Sequence, residues 1–118
     1  MSFEIKGNYF NGEFQQEAKG SSKEVSRYCP ADTERFLWKF NISYEQVDDI
    51  IESATHGHNY WKRTPISERI NFLKRYQECV TKRKDQIAES IALETGKPLW
   101  EALTEASAVI GKVDVTIN

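Results

Sequence analysis

Two helical patterns meet at a two-residue corner just before Pro98, where the next helix is expected to start, and this corner limits the fold more than any other stretch of the chain. Upstream, Ile87, Ala88, Ile91 and Ala92 recur at helical spacing. Downstream, Leu99, Leu103, Ala106, Ile110, Val113 and Ile117 step by four and three along one continuous helix face. Glycine reaches the left-handed backbone region that closes a helix without a Cβ penalty. Proline suits the first helical position, and Pro98 is predicted to occupy it. The apolar stripe is still running at Thr116-Ile117-Asn118, with no terminating Gly or Pro. It either packs on the other helices or belongs against a partner outside these residues.

Two more helices precede the corner pair. Ser43-Tyr44-Glu45-Gln46 has the capping-box pattern, with Ser43 as the cap and Gln46 three residues on. Val47, Ile50, Ile51, Ala54 and Trp61 follow at helical spacing, and Asp48, Asp49 and Glu52 lie where the helix dipole favours anions. Thr64-Pro65 starts the next helix, with Thr64 as cap and Pro65 in the first turn. Its expected buried stripe is Ile66, Ile70, Leu73, Tyr76 and Val80. A break near Lys84-Asp85 separates it from the helix that ends at Gly96.

The N-terminal part reads as extended. Asn11-Gly12 sits between aromatic residues, and both positions of a tight hairpin turn need the positive φ that this pair tolerates. A polar stretch ending in Gly20-Ser21-Ser22 connects to a short strand over Glu24–Tyr28. Cys29-Pro30-Ala31-Asp32-Thr33-Glu34 is a turn candidate, and the aromatic-rich segment 35–40 is the strand after it. The expected fold class is therefore α+β in one segment, 1–118, with short antiparallel strands and turns over 1–42 and about four helices over 43–118.

A formal net charge of -2 among 29% charged residues names no polyanionic partner. Lys62, Arg63, Arg69, Lys74, Arg75, Lys82, Arg83 and Lys84 form a basic run, but they fall on several helical faces and read as solvated surface rather than a nucleic-acid interface. No window reaches the roughly 18 apolar residues of a membrane helix, and Met1 to Lys6 lacks the apolar core of a secretion signal. Cys29 and Cys79 match no metal spacing and read as free thiols of a reducing compartment, which points to the cytoplasm. His56 and His58, two apart, do not share a helical face and read as exposed residues rather than half of a metal site. Glu101 and Glu105 lie one turn apart, where the helix dipole accounts for Glu101. Gly7, Gly12 and Gly20 are scattered and make no phosphate loop. The residues by themselves thus offer no active site.

Glu94-Thr95-Gly96-Lys97-Pro98 resembles the E-x-G-K-P corner in the N-terminal part of the aldehyde dehydrogenase superfamily. The preceding segments agree in order. The stretch 9–14 is similar to the family's hydrophobic-I-N-G-E-W opening, and 29–34 to its N-P-A-T-G-E turn, although Cys29 replaces the usual Asn and Glu34-Arg35 displaces Gly-Glu. Ala54 to Trp61 takes the place of the family's Ala-rich helix ending in Trp, and Ser67-Glu68-Arg69 that of the x-x-R opening the next helix. Thr95-Gly96-Lys97-Pro98, Trp100-Glu101-Ala102 and Thr104-Glu105 together resemble the succinylglutamate semialdehyde dehydrogenase branch, which serves bacterial arginine degradation.

The resemblance implies an N-terminal part of the α/β aldehyde dehydrogenase fold, in an enzyme that oxidises an aldehyde with NAD or NADP and is a homo-oligomer. In that family a thiolate attacks the aldehyde, hydride passes to the nicotinamide and a Glu-activated water releases the acid. An Asn amide helps to hold the oxyanion. All of these residues follow the corner by many positions, so the expectation is that the 118 residues contain no catalytic or cofactor-binding residue, bind no cofactor well and need the rest of the enzyme chain. The resemblance further implies one partial site, a monovalent cation held by Glu94 and the carbonyls of Arg27 and Tyr28. The other possibility is a stand-alone interaction module that docks through the stripe from Leu99 to Ile117.

Overall fold

The structure, a computed structural model, describes residues 5–15 and 20–118. Most of the polar connection before Gly20 and the first residues of the chain lie outside that range. Two compact units divide the chain. One holds Cys29–Arg35 and Thr64–Asn118; the other holds the chain up to Tyr28 together with Phe36–Arg63.

In the second of these units, Asn8–Phe10 (β1) pairs antiparallel with Glu13–Gln15 (β2), with Tyr9 opposite Phe14. Asn11 has φ 54° and Gly12 φ 83°, so both turn positions lie in the region the sequence predicted for them. The Tyr9 and Phe14 rings pack edge to face at 5.0 Å, a cross-strand contact of the kind that stabilises a short ladder. Lys23–Cys29 (β3) and Asp32–Ile42 (β4) form a separate two-stranded sheet. A connection of two residues, Pro30-Ala31, requires these strands to run antiparallel. The expected turn over 29–34 is thus narrower than predicted: Asp32, Thr33 and Glu34 extend β4 instead of capping the turn.

A 3₁₀ turn, Tyr44–Gln46, leads into a helix over Val47–Trp61 (α1). The capping box is not made. Ser43 precedes the 3₁₀ turn without a side-chain capping bond, and the buried Gln46 side chain accepts a hydrogen bond from Asn8 Nδ2 at 3.1 Å. Gly57 does not interrupt α1, which closes with Lys62 N–H donating to His58 O.

The other unit is mainly helical. Ile66–Lys82 (α2), Lys84–Thr95 (α3) and Leu99–Ile117 (α4) follow in order, with Arg83 as the break between α2 and α3. Pro65 and Pro98 each stand just before their helix, at ψ 145°, rather than in the first helical position. Their carbonyls accept the first helical bonds, from Arg69 N in one case and from Glu101 N and Ala102 N in the other. Pro98 thus serves as the cap position of α4, a shift of one residue. The core is built from Ala88, Ala102 and Ala106, all fully buried, with Ile87, Ile91, Ala92 and Leu103 packed around them. Alanines at this contact let the backbones of α3 and α4 approach closely, leaving the larger side chains at the margins.

The α4 stripe lies inside this unit. Ala106 and Val113 are buried, and Leu103, Ile110 and Ile117 are half-buried. Only Leu99 is exposed along it, so the stripe is not the free docking face that the module reading required. The α2 stripe turns out differently. Val80 is buried and Ile70 and Leu73 are half-buried, but Ile66 is 65% exposed and Tyr76 53%.

Candidate functional site

The corner begins with Gly96, which closes α3 in the left-handed region at φ 75°, its N–H donating to Ala92 O at 2.9 Å. A Cβ at this position would lie 3.0 Å from Ala31 N and 3.2 Å from Pro30 Cβ. The tip of the β3–β4 hairpin therefore rests against the corner, and the approach is possible because residue 96 has no side chain. Lys97 then turns onto α4. Its ammonium bonds Glu101 Oε1 at 3.2 Å and also Glu105 Oε1. The Glu105 bond, with that to Glu101 second, raises the Lys97 pKa above its usual value against an opposing loss of hydration. The pair that the sequence marked as Glu101 and Glu105 is thus a two-carboxylate clasp on a lysine. Spacings of four and eight from Lys97 carried that signal, since both reach one face of α4.

A second clasp joins α2 to α4. Lys74 Nζ bonds Asp114 Oδ1 at 2.6 Å, and Gln77 Nε2 donates both to Asp114 Oδ2 at 2.7 Å and to Ile110 O at 3.1 Å. The Lys74 bond, followed by the Gln77 bond, holds the Asp114 carboxyl below its usual pKa. No local pattern announces these partners, which are about forty positions apart. Both clasps are structural: they fix helices and present no group to a substrate.

Glu94 is half-buried in the last turn of α3, while Arg27 and Tyr28 lie on β3. The Tyr28 ring packs edge to face on Phe36 at 5.6 Å. Glu94 belongs to one unit and Arg27 and Tyr28 to the other, so no coordination geometry follows for the three. Cys29 is buried at the hairpin tip and Cys79 is exposed on α2; both are free thiols. His56 and His58 are exposed on α1. Among the described residues no three His, Cys, Asp or Glu side chains converge as a metal site would require. No described helix is long and apolar enough to cross a membrane. A cleft of about 540 Å³ lies between the β1–β2 turn and α1 and is lined by Tyr9, Phe10, Asn11, Ile50, Ser53 and His56 among others. Asn11 N–H donates to Ser53 Oγ at 3.0 Å on its floor, which ties the turn to the helix. It is open and mostly apolar, and no charged side chain lines it.

The pattern of the Aldehyde dehydrogenase family matches residues 17–118, and the chain belongs to that family. Among its relatives, the N-succinylglutamate 5-semialdehyde dehydrogenase of Legionella pneumophila (strain Corby) is 39% identical over 114 residues, covering 96% of this chain and 22% of the relative. The protein of the same name from Vibrio cholerae serotype O1 is 37% identical over 100 residues, covering 84% of this chain and 20% of the relative. The crystal structure of NADP-dependent glyceraldehyde-3-phosphate dehydrogenase from Bacillus halodurans C-125, complexed with NADP, superposes with a TM-score of 0.78 at 31% identity. That match covers 86% of this chain and 21% of the neighbour. The chain thus spans about a fifth of the length of the relatives it matches.

Proposed function

We propose that these 118 residues are the N-terminal portion of an NAD(P)-dependent aldehyde dehydrogenase that oxidises N-succinylglutamate 5-semialdehyde to the corresponding acid. The observation that carries this reading is the Legionella match, which runs through 96% of the chain and bears that enzyme's name. The same name recurs on the Vibrio relative, while the structural neighbour is an NADP-dependent dehydrogenase. The complete enzyme is a cytoplasmic homo-oligomer in this account, and the 118 residues serve it as a scaffold. Both cysteines are free thiols, Cys29 buried and Cys79 exposed, and the account places the chemistry outside these residues. On the resemblance alone, Glu94 and the carbonyls of Arg27 and Tyr28 are assigned to a monovalent cation in the complete enzyme, and Glu94→Gln should then weaken any activation by potassium.

The test is NADH or NADPH formation from N-succinylglutamate 5-semialdehyde. The complete enzyme should turn over and the 118-residue chain should not. Turnover by the chain alone that vanishes on Cys29→Ser or Cys79→Ser would show the active site to be misplaced.

A further inference from the structure

The β3–β4 sheet has one closed end and one open end. The Pro30-Ala31 connection closes the first; at the other, β3 begins at Lys23 and β4 finishes at Ile42. Glu45 reaches across that open end. Its Oε1 accepts hydrogen bonds from Ser21 N–H at 3.1 Å and from Ser21 Oγ at 3.2 Å. Gly20 makes the room for this. It lies at φ 65°, and a Cβ there would overlap the Glu45 carboxylate.

The two sides of the contact are held differently. Glu45 stands in the 3₁₀ turn between Ser43 and Gln46, which are 4% and 2% exposed, so buried neighbours fix its backbone. Residues 20–24 are exposed throughout, and burial does not hold them. Among the described residues, both hydrogen bonds that hold Ser21 end on Glu45. A bond to a carboxylate is stronger than one between neutral groups. An exposed polar contact of this kind still contributes little to the stability of the whole fold. Segments secured only in this way open locally, at far lower cost than global unfolding. The closed end of the sheet cannot follow, because the connection is covalent and short, and Cys29 and Leu37 beside it are buried.

We propose that Glu45 is a releasable catch for the open end of the β3–β4 sheet. While its carboxylate holds Ser21, β3 stays paired from its first residues. When the catch lets go, those residues part from β4 and the remainder of the sheet stays paired. Glycine at position 20 is part of the device, since any side chain there would push the carboxylate off Ser21.

Hydrogen exchange on the full-length protein, read amide by amide, tests the catch. Glu45→Ala should speed exchange of the Ser21 amide about tenfold, the loss expected when a bond to a charged acceptor is removed. Residues 23–25 should show a smaller rise, and residues 27–29 and α1 none. Gly20→Ala should reproduce this pattern with Glu45 intact, and adding Glu45→Ala to it should change nothing further. An unchanged Ser21 amide in Glu45→Ala would overturn the proposal. So would effects of the two substitutions that add in full, since the glycine would then act independently of the carboxylate. A rise shared by residues 27–29 and α1 would make Glu45 a support for the whole unit, and would equally overturn the local catch.

Discussion

Replacing Gly96 with alanine should be among the most damaging single-methyl changes in the helical unit. Two costs combine. At φ 75° an L-residue pays about 1–2 kcal/mol for the left-handed backbone. The added Cβ would also stand 3.0 Å from Ala31 N, a backbone atom, and 3.2 Å from Pro30 Cβ, a carbon fixed by its ring. Neither can rotate away, so the hairpin tip or the helix end must shift, at a further cost of about 1–2 kcal/mol. The expected total is about 2–4 kcal/mol, measured by urea denaturation followed by helical circular dichroism. Gly12→Ala separates the two terms. Gly12 has φ 83°, but a Cβ there would meet nothing within 4 Å, so only the backbone cost applies. Gly96→Ala should therefore cost clearly more than Gly12→Ala. A loss below about 0.5 kcal/mol for Gly96→Ala, or equal losses at the two sites, would refute the packing argument at the corner.

Gly57 lies inside α1 with open space where a Cβ would go, so Gly57→Ala should raise stability by about 0.5–1 kcal/mol, read as a higher urea midpoint with unchanged slope. Asp114 has its folded pKa held below the unfolded value of 3.8, chiefly by Lys74, so its contribution is present above that value and lost as pH falls through the folded one. Acid titrations of wild type and Asp114→Asn should accordingly differ at neutral pH and converge below pH 3.8; curves that stay parallel would contradict the clasp. Lys97 runs the other way, since its folded pKa is raised above 10.5: its contribution is full below that pH and disappears only as pH rises through the higher folded value. The stability gap between wild type and Lys97→Met should persist at pH 9 and close in stronger alkali.

The parts legible in the sequence are those decided by the backbone. Asn11-Gly12 and Gly96 were readable because few residues tolerate positive φ, and both places adopt it. The four helices followed from apolar spacing. The capping box misled at Ser43, whose side chain makes no capping bond, while Gln46 also accepts a bond from Asn8 in β1. The Pro30-Ala31 turn was drawn too wide because Asp32 and Thr33 are turn formers in isolation, yet pairing with β3 extends them into the strand. Periodicity identified the faces of α2 and α4 equally well, but it could not say which face the same chain covers. Ala106 and Val113 proved internal, whereas Ile66 and Tyr76 did not. The two lysine clasps were half visible: Lys97 through its spacing from Glu101 and Glu105, Lys74 not at all, because only the packing of α2 on α4 brings Asp114 to it. Family motifs assigned the chain to its family without giving it chemistry, because the corner they centre on is a matter of helix geometry.

The central claim is that these residues are one part of an aldehyde dehydrogenase. Reading the gene past the codon for Asn118 tests it most directly. The account predicts an open frame continuing to about five times the present length, since the chain covers about a fifth of its relatives. That continuation should encode the nucleophilic cysteine, the water-activating glutamate and the oxyanion-holding asparagine. A stop codon directly after Asn118 would contradict the account and leave a small strand-and-helix protein with the family's corner but none of its catalysis.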